Sequence, residues 1–151
     1  MSNIWKPHAT VAAIIEQDNR FLMVEEISGG KTVYNQPAGH LDPNESLLQA
    51  SIRETQEETG WLFKPEYISG IYRWVQPVTR ECFLRVAFVG SCSQHNEKQQ
   101  LDDGIIQALW LSRDELVERT QQLRSPLVLH CIDDYLKGKK YPLDLLTDIE
   151  L

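Results

Sequence analysis

Glu54, Glu57 and Glu58 stand within five residues of one another, directly after Arg53, in the stretch GHLDPNESLLQASIRETQEETGW that runs from Gly39 to Trp61. Glutamates on a helix most often form a solvated face. Like charges three or four residues apart destabilise a helix by a few tenths of a kcal/mol per pair, so this crowding calls for a compensating partner. Arg53 precedes Glu57 by four residues, where it can hold that carboxylate in one rotamer. Gly39 has no side chain, so its carbonyl can approach the same face closely. Three carboxylates and a carbonyl are hard oxygen donors that suit Mg²⁺ or Mn²⁺, with the remaining positions left to water and substrate phosphate. Bound dications would neutralise the glutamates and attract a polyphosphate.

The elements that must position these residues can be read from local signals. Pro37, Gly39, Pro43 and Asn44 argue against regular structure before a helix capped by Asn44 or Ser46. That helix runs to about Thr59 and stops at Gly60. At about 100° per residue, Leu48, Ile52, Thr55 and Thr59 share one face, and the three glutamates span an arc of about 100° on the opposite one. Upstream, ATVAAII and FLMVEE flank the turn residues Asp18 and Asn19, which reads as a hairpin over about residues 8–26, followed by a loop at SGGK and a short extended TVYNQ. Downstream, YISGIYRWVQP and CFLRVAFVGSC read as strands joined at VTRE, then a polar loop SQHNEKQQLDDG, then a strand IIQALWL. Ser112 and Glu115 form a capping box for a helix through about Gln122. A last helix is capped by Ser125, has Pro126 in its first turn, buries Val128, Ile132 and Leu136, and ends at Gly138. Strands, one helix, strands and two helices give an α+β chain built around a mixed, curved β-sheet.

The totals set bounds. A chain of 151 residues with 42% hydrophobic and 25% charged residues suits one domain over 1–151. A formal net charge of −7 without a basic block argues against nucleic-acid polymers and anionic membranes as partners. The apolar run before Glu16 is too short for a signal peptide or a membrane span, so a cytoplasmic protein is expected. Cys82, Cys92 and Cys131 are odd in number and lack a C-x-x-C spacing, so reduced, packed thiols are expected. His8, His40, His95 and His130 are scattered without metal spacing.

In Gly39, Glu45, Arg53, Glu54, Glu57, Glu58 and Gly60 the chain resembles the Nudix hydrolase family, whose box is G-x5-E-x7-R-E-U-x-E-E-x-G-U with U bulky and apolar. All seven fixed positions are filled, a coincidence expected by chance below about once in a million such chains. Trp61 meets the last apolar requirement; Thr55 departs from the aliphatic residue usual at its position. The resemblance implies that Glu54, Glu57 and Glu58 bind divalent metal with help from the Gly39 carbonyl, that Arg53 orients Glu57, and that Glu45 supports the loop–helix junction. It also implies the family fold, a mixed sheet sandwiched between helices. NQPAGHLD, YRWVQP, LRSPLV and YPLDLL resemble the NudJ-type branch, phosphatases that act on nucleoside tri- and diphosphates and on thiamine-precursor pyrophosphates.

By that resemblance the reaction is hydrolysis of a phosphoanhydride by attack of water on phosphorus, which needs no nucleophilic side chain. Glu57 is the first candidate for general base, with Asp102 and Asp103 as alternatives if their loop closes over the site. Tyr34, Tyr72 and Trp74 could stack on a base; Arg73, Arg85 and Arg124 could bind phosphate oxygens; Gln36 could hydrogen-bond nearby. The expected partner is a small phosphorylated molecule, taken by a monomer or homodimer. Two other readings compete. Pro77, sixteen residues beyond Trp61, is close to a feature of ADP-ribose and nucleotide-sugar pyrophosphatases, and a Nudix-like fold can also serve as a ligand-binding module once its carboxylates are lost.

Overall fold

The run ATVAAII is apolar at consecutive positions, the pattern of a strand covered on both faces. In the computed structural model, which describes residues 3–150, it forms β1 (His8–Ile14), with Val11 to Ile15 at most 1% exposed. The chain continues through β2 (Glu16–Gln17), β3 (Arg20–Ser28), β4 (Lys31–Asn35), β5 (Ala38–His40) and α1 (Leu47–Thr59). It then runs through β6 (Leu62–Val75), β7 (Cys82–Ser93), β8 (Ile105–Leu111), α2 (Arg113–Glu118) and α3 (Leu127–Leu136), with single 3₁₀ turns at Thr120–Gln122 and Leu143–Leu145.

The strands divide into two four-stranded sheets. One has the order β5-β1-β7-β6 and is mixed, because β1 runs parallel to β7 while the other pairs are antiparallel. The other is antiparallel, with β2, β4 and β8 all pairing to β3. Alternation along β1 and β3 feeds two cores. Ile14, Phe21 and Met23 pack with Leu116, Val128 and Ile132 of α2 and α3, while Val11, Ala13, Ile15 and Leu22 pack with Ala50 of α1. The sheets are therefore sandwiched between α1 and the α2–α3 pair, an α+β architecture.

The register of the mixed sheet lines up two rows across its strands. One is His40–Thr10–Arg85–Tyr72, the other His8–Phe83–Trp74. Side chains two apart on a strand share a face, so both rows look to the same side.

Several expectations need correcting. The tight turn at Asp18 and Asn19 exists, with φ of 51° and 63° and a bond from the Leu22 N–H to the Ile15 carbonyl, and it closes a short hairpin of β2 with β3, but β1 does not pair with β3. They part into different sheets because β1, apolar on both faces, takes β5 and β7 as its neighbours. The PAGH stretch is a short strand, β5, rather than irregular chain. The helix begun at Ser112 ends at Glu118, where Arg119 breaks it into a 3₁₀ turn. Leu136 is half exposed, so the apolar face of α3 rests on Val128 and Ile132. Cys82, Cys92 and Cys131 are free thiols, and no helix among the described residues is long and apolar enough to cross a membrane.

Candidate active site

The ends of α1 are fixed by its own sequence. Ser46 accepts the Gln49 N–H at 3.1 Å and the Gln49 side chain accepts the Ser46 N–H at 2.8 Å, a reciprocal capping box. Gly60, at φ 77°, closes the other end by donating to the Gln56 carbonyl. Thr55, the unusual residue on the core face, is wholly buried, and its hydroxyl donates to the Ser51 carbonyl at 2.8 Å. Its methyl is thus free to pack while its polar atom is satisfied inside the helix.

Arg53 is the hub of the acidic face. Its Nε and Nη2 grip Glu45 at 3.0 and 2.7 Å, its Nη1 donates to Glu54 at 2.8 Å and to Glu57 at 3.2 Å, and Nη2 also reaches the His40 carbonyl at 3.0 Å. Glu45 in turn accepts the Asp42 N–H at 2.8 Å, which ties the loop to the helix. Arg53 thus touches Glu57, but its two-pronged contact is with Glu45.

Gly39 lies directly under Glu54: a Cβ there would sit 2.1 Å from the Glu54 carboxyl carbon. Glu58 lies on the arc read from the helix period, but that part of the arc is covered. It is 7% exposed and accepts the Ala38 N–H at 2.9 Å, so it is buried against β5 rather than turned to solvent. Carboxylate oxygens of Glu54, Glu57 and Asp102 lie within 4.8 Å of one another. Asp102 is brought there by a loop laid along the last turns of α1. The Asn96 N–H bonds the Gly60 carbonyl, the Gln99 side chain bonds the Gln56 carbonyl at 2.6 Å, and the Asp102 N–H bonds the Glu57 carbonyl at 3.0 Å. Asp103, exposed, is outside the cluster.

The electrostatics follow from this packing. Burial raises Glu58 well above the ordinary glutamate range, aided by Glu26, Glu54 and Asp102. Burial also raises Glu54 and Glu57; Arg53 opposes the rise in both, while Asp102 adds to it. Glu45 goes the other way, lowered mainly by its hydrogen bonds from Arg53.

Beside the cluster opens a cavity of about 920 Å³, bordered by Gly39, Glu54 and Glu58 on one side and by Trp74, Phe83 and Arg85 on another. Trp74 and Phe83 have ring centroids 5.6 Å apart, and Phe83 stacks on His8 at 4.6 Å. Of the substrate-contact candidates, Trp74, Arg85 and Arg124 border this cavity, and Arg124 pairs with Glu26. The others do not line it. Tyr34 donates to Glu25 at 2.7 Å on the other face of β4, Gln36 is buried behind Arg85, from which its side-chain oxygen accepts at 2.9 Å while its amide donates to the Val128 carbonyl, Tyr72 donates to Asp134 at 2.6 Å, and Arg73 is exposed on the far side of β6. The histidines are less scattered than the sequence suggests. His8 bridges Glu81 at 2.8 Å and His40 at 3.0 Å, linking the β6–β7 turn to β5. Only the pairing of β1 with β5 brings them together, so no local signal marks the link.

Comparison with known proteins agrees with this geometry. The profile of the NUDIX domain matches residues 6–131. This chain belongs to the Nudix family. It is similar to Phosphatase NudJ of Escherichia coli K12, with 39% identity over 145 residues that cover 96% of this chain and 94% of the relative. A NUDIX hydrolase from Nitrosomonas europaea is similar at 48% identity with a TM-score of 0.93, over 95% of this chain and 98% of that one. A MutT NUDIX hydrolase from Burkholderia pseudomallei shares the fold at a TM-score of 0.73 and 18% identity, over 86% of this chain and 98% of that one. The protein is therefore a Nudix hydrolase, and a pure ligand-binding role is set aside. Within the Nudix box, the capped helix, the glycine under Glu54 and the Arg53 hub hold the acidic side chains at the edge of the cavity.

Proposed function

We propose that this Nudix hydrolase removes terminal phosphate from a small phosphorylated molecule: a nucleoside tri- or diphosphate, or the pyrophosphate of thiamine or hydroxymethylpyrimidine. The observation that carries this reading is the convergence of Glu54, Glu57 and Asp102 within 4.8 Å, with Glu54 lying on Gly39, beside a cavity with an aromatic wall. The similarity to a NudJ phosphatase along nearly the whole chain supports the choice of terminal phosphate.

The donor set fits a hard divalent cation, Mg²⁺ or Mn²⁺. It offers oxygen alone, and its carboxylates outnumber the one guanidinium among them. Glu54, Glu57, Glu58 and the Gly39 carbonyl would hold the cation, with Asp102 in reach of the same position. Once bound, such a cation shields phosphate charge and makes a water ligand more acidic. Glu57 takes the proton from the attacking water; its side chain is 39% exposed, the most open of the three glutamates held by Arg53. Arg53 orients Glu57, and Glu45 holds Arg53. Trp74 and Phe83 give the ring of a base or pyrimidine a surface to stack on, and Arg124 stands at the cavity edge for phosphate oxygens. The parts come from a single chain, so a monomer or a homodimer would serve.

The test is a panel of nucleoside tri- and diphosphates, thiamine diphosphate and ADP-ribose, with Mg²⁺, products being resolved by chromatography. Orthophosphate released one unit at a time supports the proposal. Pyrophosphate, or a monophosphate split from ADP-ribose, would overturn the choice of substrate class while keeping the Nudix chemistry. Turnover that persists after chelation would sink the metal role.

A further inference from the structure

Arg85 is 5% exposed, borders the cavity, and has no carboxylate within ion-pair distance among the described residues. Its hydrogen bonds go to neutral groups: Nη1 to the side-chain Oε1 of Gln36 at 2.9 Å and to Cys131 Sγ at 3.9 Å, Nη2 to the side-chain Oδ1 of Asn35 at 3.3 Å. Nε has no partner at all. Gln36 is itself locked, because its amide donates to the Val128 carbonyl at 2.8 Å and so turns its oxygen to Arg85. A guanidinium cannot shed its proton to escape burial, and a buried charge without a counter-ion is costly. The fold therefore orients this cation with buried amides and leaves its charge unbalanced at the edge of the cavity. The start of α3, through its first residue Leu127 and through Ser125 just ahead of the helix, borders the same cavity and adds the positive end of a ten-residue helix. Glu54 and Glu58 border the same cavity as this cation without forming a salt bridge to it.

We propose that Arg85, oriented by Asn35 and Gln36, forms an oxyanion subsite of the cavity that takes a phosphate group. It rests on the cavity being the substrate site, and it adds a protein-held anion position to the metal-held one. The phosphate is either one the substrate carries or the orthophosphate the reaction releases.

Orthophosphate alone is the probe, titrated into chelator-treated protein and followed by calorimetry and by thermal unfolding. Saturable binding is expected in the wild type and in Glu57→Gln. It should be at least about tenfold weaker in Arg85→Gln, the size of effect typical of losing a charged hydrogen bond, and intermediate in Arg85→Lys, which keeps the charge and loses the fork. Arg85→Gln should unfold at a temperature no lower than the wild type, because it removes an unbalanced buried charge. Equal binding in wild type and Arg85→Gln, no binding in the wild type, or a strongly destabilised Arg85→Gln would each overturn the subsite. In turnover assays with Mg²⁺, inhibition by orthophosphate that competes with substrate assigns the subsite to a substrate phosphate; noncompetitive inhibition assigns it to the product. Binding is read without metal or turnover, so failure of the subsite and failure of the hydrolase reading are separately visible.

Discussion

Arg53 and Arg85 stand at the same site, and their company differs in charge. Arg53 is surrounded by Asp42, Glu45, Glu54 and Glu57, all within 4.0 Å, and its charge is spent inside the protein. Arg85 is more deeply buried and meets only amides and a thiol. A cation that the fold has already neutralised can only position its neighbours; a cation that the fold has left unbalanced is available to a ligand. On the acidic side the reverse holds. Glu45 is fully answered by Arg53, whereas burial raises the proton affinities of Glu54 and Glu57 by more than Arg53 lowers them, and that of Glu58 by more than the Ala38 N–H lowers it.

The strongest way to break this contrast is to remove one of Arg53's anions without changing its shape. Glu57→Gln should lower kcat by about a thousandfold, within the usual range for a lost general base, while the unfolding temperature stays within a few degrees. Steady-state kinetics and a thermal melt decide it, and an active variant would reduce the Arg53 circle to ordinary surface pairing. Gly39→Ala comes next. Its Cβ must push Glu54 from a position 2.1 Å away, so Mg²⁺ affinity by calorimetry and turnover should each fall by about a hundredfold with the fold intact. Gly90→Ala is the counterpart outside the site: its Cβ would meet the Lys64 backbone carbonyl at 1.9 Å, which cannot swing away, so the melt should drop instead. Arg53→Lys keeps the charge and loses the fork that spans Glu45 and Glu57, for which about a tenfold loss of kcat is expected.

The smallest effect is on stability against pH. In chelated protein, Glu58 has a folded pKa above its ordinary value of 4.5, so the folded state binds the proton more tightly than the unfolded one. Stability then rises as pH falls through the folded value and levels off below 4.5, the opposite of what Glu45 contributes, which is lost on acidification. Melts across this range should show a slope that Glu58→Gln flattens; an unchanged slope would mean the burial of Glu58 carries little charge cost.

What the sequence disclosed follows the range of the interactions involved. The helix of the site was readable from Ser46 to Gly60 because caps and periodicity act within a few residues. The pairing of β1 was not, since seven consecutive partners in β7 lie more than seventy residues away and nothing local names them. The burial of Glu58 is illegible in the sequence for the same reason. A helical wheel gives its direction, and only the arrival of β5 with the Ala38 N–H turns that direction into a buried one. For Asp102 the sequence offers a place at the site only on condition that its loop closes over it, and whether Asp102 or Asp103 arrives beside Glu54 and Glu57 depends on where the loop runs. Arg85 is one of three arginines that the sequence offers for phosphate oxygens, and nothing local sets it above Arg73 or Arg124. Its lack of a counter-ion is a property of the packed surroundings.

Polar loops of a dozen residues are ordinarily where a chain accepts inserted segments. The one between β7 and β8 is fastened to α1 at Gly60, then Gln56, then Glu57. It therefore works as a measured strap, and its tolerance is uneven along its length. Extra residues before His95 would bulge outward and leave the fastenings in place. A single residue added between Gln99 and Asp102 would put the chain out of step with the helix and carry Asp102 off the site.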